Sequence, residues 1–239
     1  MTKLSQHLTV NRRVLERLIE LADPDDSDVV LEPGCGDGRL TELLAERGCR
    51  VVAVEIDPVL AAEARRRLSR WENVDVVTAD VLKLNPGDYT MVVGNPPYHI
   101  SRRIIEWIAT NPQPRRVVMT LQREFAQKLA APPGGRDYLY VSIIAQMLYQ
   151  VEIHDTVPPS AFKPRPRVTS CIVRMQRNGQ NQLSPTQLKL LKNIFTDRRH
   201  LLGKVLRRIG IEPPQELAHK RILHLTTQEI QMILASLRG

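Results

Sequence analysis

One strand, turn and helix segment constrains the fold more than any other part of the chain. Residues 29–31 (Val-Val-Leu) run into the loop 32–38 (Glu-Pro-Gly-Cys-Gly-Asp-Gly), and a helical pattern follows from Arg39. Glycine lets the backbone approach a ligand closely, and the first turn of a helix has free N–H donors. The segment therefore predicts a ligand-binding loop at the end of a buried strand. By itself this loop is typical of nucleotide, flavin and nicotinamide sites alike.

Acidic side chains follow the next two apolar segments. Residues 50–54 (Arg-Val-Val-Ala-Val) lead into Glu55, nineteen residues after Gly36, where an acid can bridge the two hydroxyl groups of a ribose. Residues 74–77 (Val-Asp-Val-Val) lead to Asp80. A carboxylate there can accept a hydrogen bond from an adenine amino group, although an ordinary exposed acid fits the same position.

A fourth apolar segment ends in an amide, two prolines and an aromatic ring, as Asn95-Pro96-Pro97-Tyr98. This arrangement suits the amino group of adenine, which must be drawn towards tetrahedral geometry by fixed hydrogen-bond acceptors before it can attack a methyl group. The Asn95 side-chain oxygen and the Pro96 carbonyl can supply those acceptors. Tyr98 offers a ring on which a flipped base can stack. The same four residues also fit an ordinary proline-rich turn.

Successive strand ends thus carry glycine, acid, acid and amide, at the edge where open α/β sheets bind their ligands. This order resembles the class I S-adenosylmethionine methyltransferases, because the dinucleotide fingerprint has its third glycine one residue later. The resemblance implies an α/β, Rossmann-like fold with a mainly parallel seven-stranded sheet, and S-adenosylmethionine as cofactor. A nucleotide-binding protein without methyl transfer remains an alternative.

A proline-rich segment spans residues 157–170. Alternating prolines hold such a segment extended, so its interleaved cations, Lys163, Arg165 and Arg167, can meet phosphates. Phe162 can cover the second face of a flipped base. A proline-rich connector with a buried phenylalanine explains the pattern equally well.

Three motifs then point to one family: Phe162-x-Pro164-x-Pro166-x-Val168-x-Ser170, Glu32-x-Gly34-x-Gly36-x-Gly38-x-Leu40-Thr41 and Asn95-x-Pro97-Tyr98. Together they closely resemble the small-subunit type of ribosomal RNA adenine N6-dimethyltransferases, relatives of the erythromycin-resistance methyltransferases. The resemblance covers nearly the whole chain. It implies transfer of two methyl groups to each of two neighbouring adenines near the 3′ end of small-subunit rRNA, coupled to small-subunit biogenesis. The catalytic residues implied are Asn95, Pro96, Tyr98 and Phe162.

The resemblance also implies a cofactor site. Ser5-Gln6-His7-Leu8 is similar to the family's amino-terminal Gly-Gln-His/Asn-Phe-Leu element, with Ser5 and Leu8 as departures. Pro96 and His200 also differ, standing where the family more often has an aliphatic residue and a lysine. The cofactor-binding residues implied are Gln6, His7, Leu8, Glu32, Gly34, Gly36, Glu55, Ile56, Asp80, Val81 and Asn95.

Charge is unevenly distributed over the chain, whose formal net charge is +8. Residues 1–94 hold 12 basic and 17 acidic residues, residues 95–183 hold 12 and 5, and residues 184–239 hold 10 and 4. Solvent-exposed helical faces can explain the excess of basic residues after residue 94. Pairs of adjacent arginines, however, favour a surface that binds nucleic acid. The predicted partner is small-subunit rRNA or an immature small subunit. The RNA-binding residues predicted are Arg102, Arg103, Lys163, Arg165, Arg167, Arg198, Arg199, Arg207 and Arg208, and Arg115-Arg116 belongs to the same pattern.

Periodicity and breakers give a coarse organisation. Helices are predicted at 11–22, 39–47, 58–70, 100–109 and 138–148, and further strands at 117–121, 149–157 and 168–175. Asp57 is interpreted as a helix cap followed by a proline in the first turn. Residues 1–180 are predicted to form the methyltransferase domain and residues 184–239 a small basic helical RNA-binding domain.

Composition is that of an ordinary globular protein, with 42% hydrophobic and 25% charged residues. No apolar run reaches the length of a membrane span, and no signal-peptide pattern is present, so we expect a cytoplasmic protein without membrane contact. Three cysteines without paired spacing predict neither a metal site nor a disulfide framework. A monomer is expected, because no long apolar heptad is present.

Other functions share parts of this pattern. A glutamine methyltransferase uses the same Asn95 turn, but it has no need of basic carboxyl-terminal helices. A DNA adenine methyltransferase normally adds a larger base-reading domain. Methylation of large-subunit rRNA and a largely non-catalytic role in ribosome assembly are further alternatives.

Overall fold

The computed structural model describes residues 7–85, 87–179 and 182–235, and its centre is a seven-stranded sheet. Strands and helices are numbered along the chain. The sheet contains β2 (Val29–Pro33), β3 (Arg50–Glu55), β4 (Val74–Thr78), β5 (Met91–Gly94), β6 (Arg116–Gln122), β7 (Tyr149–Val157) and β9 (Ser170–Arg177). Their order is β4-β3-β2-β5-β6-β9-β7. Strands β2 to β6 pair in parallel, and β9 runs antiparallel between β6 and β7.

Helices cover both faces of this sheet. They are α1 (Arg12–Ala22), α2 (Arg39–Ala45), α3 (Pro58–Leu68), α4 (Ser101–Thr110), α5 (Arg123–Leu129), α6 (Tyr140–Leu148), α7 (Pro185–Thr196), α8 (Leu202–Arg208) and α9 (Thr227–Ala235). The first three pack on one face, and the others belong to the core on the opposite face. Burial on both faces explains why the inner parallel strands β2, β3 and β5 are mainly apolar rather than alternating, whereas the edge strand β4 has exposed Asp75 and Thr78.

Successive residues of the parallel strands supply the two cores in turn. Along β5, Met91 and Val93 join the core beneath α1 and α2, whereas Val92 joins the core on the side of α4 and α6. The sheet therefore lies between two cores. The loops at its carboxyl edge carry the polar residues predicted to form the site.

The amino-terminal residues form a second, two-stranded sheet that the sequence did not predict. Strand β1 (Leu8–Thr9) pairs antiparallel with β8 (Phe162–Lys163), so that Leu8 lies opposite Lys163 and Thr9 opposite Phe162. This pairing fastens the start of the described chain to the proline-rich segment.

Helices α7 to α9 share their core with helices α4 to α6 of the central sheet. The Tyr138 hydroxyl donates to the Leu225 carbonyl oxygen at 2.7 Å, and Arg198 donates to the Tyr138 carbonyl oxygen at 2.6 Å. The rings of Tyr138 and Phe195 meet edge to face with centroids 5.9 Å apart. Tyr138 is fully buried. The chain after Ser184 is therefore packed against the central sheet's own helices.

Most predicted elements are confirmed, with ends shifted by a few residues. The helix predicted at 138–148 begins at Tyr140, the strand predicted at 168–175 begins at Ser170, and α5 was not predicted. Asp57 caps α3 by accepting from Val59 N at 2.8 Å, as predicted. Among the described residues, none of the helices combines the length and apolar character that a membrane span requires.

Candidate active site

The glycine loop between β2 and α2 is held by backbone hydrogen bonds to β3. Gly34 N and Cys35 N both donate to the Val54 carbonyl oxygen, at 2.7 and 3.1 Å. Gly36 has φ +58°, and a Cβ atom built on it would lie 2.4 Å from Leu8 Cδ2. Glycine is favoured there, because another residue would adopt a strained backbone conformation and would displace the Leu8 side chain of β1.

Glu55, at the end of β3, is 2% exposed and connects the loop to the next helix. Its Oε2 accepts from Gly36 N at 3.0 Å and its Oε1 accepts from Asp57 N at 2.9 Å. A carboxylate is an acceptor of the kind that ribose hydroxyl groups require.

Glu32, at the end of β2, is also 2% exposed. It accepts a hydrogen bond of 2.6 Å from the Thr41 hydroxyl on α2. Burial raises the pKa of Glu32 to about 8, and the nearby Glu55 charge adds to the shift. Glu32 is therefore protonated at neutral pH and anchors α2 beneath the loop.

Two cavities meet at the carboxyl edge of the sheet, and Gly34, Glu55 and Pro97 line both. The first is bordered by β1, the glycine loop and the Asn95 turn. The second is bordered by Ile56, Asp80, Val81, His99, Ile100 and Arg103. The Ile56 side chain is 48% exposed at its rim, and Asp80 Oδ1 caps the short turn after β4 by accepting from Leu82 N at 3.1 Å.

The Asn95 amide follows β5 and is fixed at one end only. Its Nδ2 donates to the His7 carbonyl oxygen at 2.9 Å. Its Oδ1 is buried and has no hydrogen-bond partner among the described residues. A buried oxygen without a donor costs on the order of 1–3 kcal/mol. Such an oxygen is a ready acceptor for an incoming N–H group.

Tyr98 is half-buried directly after this turn. Its hydroxyl lies 2.6 Å from Ser170 Oγ, and Ser170 is fully buried at the start of β9. The His7 ring lies beside it, with centroids 5.8 Å apart and planes inclined by 31°. His7 Nδ1 donates to the Pro164 carbonyl oxygen at 2.7 Å.

Phe162 occupies a different environment from the one expected for a stacking residue. Its side chain is 2% exposed and belongs to the core beneath α1. In this conformation the ring has no face open to a base, so its contact with a base stays a prediction that requires the proline-rich segment to move. The neighbouring cations Lys163, Arg165 and Arg167 are exposed.

The predicted RNA-binding arginines fall into two groups. Arg102, Arg103, Arg199, Arg207 and Arg208 are exposed, and Arg208 pairs with Asp197. Arg198 is half-buried and bonded to the Tyr138 carbonyl oxygen, as noted above.

The Arg115-Arg116 pair serves the fold instead. Arg115 makes a two-point ion pair with buried Asp28, at 3.1 and 2.7 Å, and Arg116 donates to the Ala22 carbonyl oxygen at 2.6 Å. A pair of adjacent arginines in the sequence does not show whether the two side chains are exposed to RNA or bonded within the fold.

Sequence reasoning missed several contacts around the site. Ser170 was present only as part of a motif, and its bond to Tyr98 joins residues 72 positions apart. Arg123, exposed at the start of α5, donates its backbone N–H to the Thr169 carbonyl oxygen at 3.0 Å, beside the proline-rich segment. No local pattern carries such information. Gln6 lies outside the described residues, and burial raises the pKa of the Cys35 thiol far above its usual range, which agrees with a packing role.

The residues present fit an S-adenosyl donor. A glycine loop with positive φ, a buried acid at the end of the second parallel strand, and a second cavity bordered by Asp80 are the kinds of group that such a molecule needs. The sheet order and this edge define a class I S-adenosylmethionine-dependent methyltransferase. Within that class, the chain belongs to the ribosomal RNA adenine dimethylase family, whose model matches residues 1–233. The protein is an rRNA adenine dimethyltransferase that uses S-adenosylmethionine.

Individual relatives agree with this family. The chain is 36% identical to the ribosomal RNA small subunit methyltransferase A of Acidobacterium capsulatum, over 88% of this chain and 78% of that protein. A dimethyladenosine transferase from Plasmodium falciparum has a similar structure, with a TM-score of 0.84, 25% identity, and coverage of 97% of this chain and 98% of that one. The 23S rRNA methyltransferase ErmE is similar at a TM-score of 0.68 and 26% identity, over 97% of this chain and 100% of that one.

Proposed function

We propose that this enzyme transfers two methyl groups to N6 of each of two adjacent adenosines near the 3′ end of small-subunit rRNA, as a step in small-subunit biogenesis. The relative from Acidobacterium capsulatum, named for the small subunit, supports the substrate. The resemblance of the three motifs described above to the adenine N6-dimethyltransferases supports two adjacent adenosines as the methylated residues. We further propose that the enzyme acts in the cytoplasm, as a monomer.

The observation that carries the chemistry is the buried Asn95 Oδ1, which has no partner in the part of the chain that the structure describes and lies near the half-buried Tyr98. A flipped adenine stacked on Tyr98 brings an amino group with two N–H donors to this oxygen. In the first transfer, Asn95 Oδ1 and the Pro96 carbonyl oxygen each accept a hydrogen bond from one N–H of this amine, and in the second transfer the monomethylated amine has one N–H left to donate to them. The two bonds strengthen as the amine becomes tetrahedral, which favours the transition state over the bound substrate.

S-adenosylmethionine, when bound, supplies a methyl group already activated by its sulfonium charge. The protein therefore contributes placement rather than a general base, because the amine can release its proton after attack. Glu55 holds the ribose and Asp80 the adenine of the cofactor. The remaining cofactor contacts proposed are Gln6, Leu8, Gly34, Gly36, Ile56 and Val81, with Glu32 supporting the loop from below.

The basic part of the chain is proposed to bind the rRNA backbone. Lys163, Arg165 and Arg167 are exposed, and no ion pair involves them in the described part of the chain. Arg102 and Arg103 begin the helix that follows the Asn95 turn. Residues 184–239 are proposed to extend this surface as an RNA-binding unit, through Arg199, Arg207 and Arg208.

Methylation of large-subunit rRNA is the second candidate, because the structure is also similar to that of a 23S rRNA methyltransferase. One experiment separates the candidates. The purified protein is incubated with labelled S-adenosylmethionine and, separately, with undermethylated small subunits, naked small-subunit rRNA, large-subunit rRNA and DNA. We expect label in small-subunit adenines as N6,N6-dimethyladenine. Label confined to large-subunit rRNA or DNA would overturn the proposal, and absence of label from every substrate would leave an assembly role.

A further inference from the structure

We propose that His7 and Ser170 are positioning residues of the acceptor site, which hold the Tyr98 ring and the Asn95 amide in the arrangement that receives the target base. The proposal rests on the proposed function. It adds a role toward the methylated nucleotide to His7, which the sequence resemblance assigns to the cofactor and which lines the same cavity as Gly34 and Glu55.

The amide of Asn95 has two orientations that differ by exchange of oxygen and nitrogen, and only one is useful. With Nδ2 donating to the His7 carbonyl oxygen at 2.9 Å, Oδ1 is left as the free acceptor. The opposite orientation would set the oxygen against another carbonyl oxygen and present N–H groups to the amine. The backbone of His7, directly before β1, therefore selects the productive orientation.

The Tyr98 ring is held at two places. Its hydroxyl is bonded to Ser170 Oγ at 2.6 Å, and Ser170 is paired with Val157 on β7 and with Gln122 on β6. A residue held by two strands of the central sheet is a rigid anchor. Ser170 thus fixes the edge of the ring and leaves its face to be set by the second contact.

That second contact is His7. Its ring lies beside Tyr98, and its Nδ1 donates to the Pro164 carbonyl oxygen at 2.7 Å. Directly after it, Leu8 pairs with Lys163. His7 therefore connects the Asn95 turn to the proline-rich segment, which carries the basic residues. Because the His7 side chain connects these two parts of the acceptor site, we expect it to affect both RNA binding and methyl transfer.

The first test compares His7→Ala with the parent enzyme. We expect S-adenosylmethionine affinity, measured by calorimetry, to stay within about twofold of the parent, while the apparent KM for undermethylated small subunits rises roughly 5- to 20-fold, part of the stacking contribution of one base. His7→Asn places a donor where Nδ1 lies and is expected to recover part of the loss. The matched control is His154→Ala, which removes a histidine bonded to Glu152 on β7 and leaves both constants unchanged.

The second test is a double-mutant cycle between His7→Ala and Tyr98→Ala. If His7 acts through Tyr98, its substitution changes the KM for RNA by less than about twofold once Tyr98 is absent, because contacting residues couple. Ser170→Ala is expected to behave in the same way against Tyr98→Phe. Ser142→Ala is the control for loss of a buried hydroxyl, since Ser142 Oγ donates to the Lys128 carbonyl oxygen on the far face of the sheet.

The possible results are distinct. Weakened S-adenosylmethionine binding in His7→Ala, with an unchanged KM for RNA, would return His7 to the cofactor and overturn the inference. Lower thermal stability with unchanged kinetic constants, as expected for Ser142→Ala, would make both residues structural only. If the parent enzyme itself transfers no methyl group to small subunits, the proposed function fails instead. The double-mutant cycle is then measured with whichever RNA the parent methylates.

Discussion

The Asn95 amide is fixed at one end only: its Nδ2 donates to the His7 carbonyl oxygen just before β1, and its Oδ1 is buried without a partner among the described residues. A hydrogen bond from N6 to this acceptor strengthens as the amine becomes tetrahedral and gains positive charge, so its contribution is greatest in the transition state. We expect Asn95→Ala to slow methyl transfer by roughly 100-fold or more and to leave S-adenosylmethionine affinity nearly unchanged.

Single-turnover assays on undermethylated small subunits measure this rate directly. Asn111→Ala is a matched control, because Asn111 also uses its amide nitrogen to bond a backbone carbonyl oxygen, that of Trp107 at the end of α4. Transfer by Asn95→Ala at the parent rate would show that the turn after β5 does not polarise the amine.

Glu32 illustrates how burial alone changes the chemistry of a residue. Its pKa is raised from 4.5 to about 8 in the folded protein. Between these values the folded state keeps a proton that the unfolded state has lost, so the free energy of unfolding falls as pH rises from about 5 to 8. Glutamine resembles the protonated side chain and can still accept from Thr41.

We therefore expect Glu32→Gln to remove part of this pH dependence, and to be more stable than the parent above about pH 8 by on the order of 2 kcal/mol. Urea unfolding at pH 5, 7 and 8.5 measures the effect. Parallel stability curves for parent and variant would mean that Glu32 is ionised in the folded protein.

Secondary-structure elements differ in how much of them the sequence reveals. The parallel strands were predictable because each is an apolar run with a polar residue at its end, and α3 because Asp57-Pro58 is a start signal. Strands β1 and β8 have two residues each, and their pairing joins Leu8 to Lys163, so no local pattern indicates them. The contacts that depend on this pairing, such as those of the His7 ring with Tyr98 and Pro164, could not be predicted from the sequence.

The proline-rich segment yields a prediction at the scale of an element. Replacing Lys163, Arg165 and Arg167 together by glutamine is expected to weaken RNA binding and to make the dependence of log affinity on log salt shallower by about 2, because each phosphate contact of a single strand contributes roughly 0.7. The matched control replaces three cations that already have acidic partners, Arg12, Arg17 and Arg50. Both variants lose the same charge, so equal salt slopes for the two would assign the effect to net charge instead of to this segment.

At the scale of the whole molecule, the sequence predicted α7 to α9 as a separate domain. In the structure these helices share one core with α4 and α6. Apolar residues of both parts, such as Ile104, Ile144, Leu191 and Phe195, belong to the same buried cluster. Composition could indicate a basic, helical carboxyl-terminal part. It could not indicate where that part packs, because the apolar stripe of a helix does not specify its partner.

This shared core predicts the outcome of truncation. Removing residues 184–239 exposes many side chains that each contribute about 1.5–3 kcal/mol by burial, against a total stability of roughly 5–15 kcal/mol for a typical domain. We expect the truncated chain to melt at much lower temperature than the parent, or not to fold, and Phe195→Ala alone to cost about 3–5 kcal/mol. Circular dichroism melting, gel filtration and calorimetric titration of S-adenosylmethionine measure these effects. A truncated chain that keeps the parent's melting temperature and cofactor affinity would show instead that residues 1–183 fold alone, and the RNA-binding role of the last helices could then be tested by deletion as well as by charge.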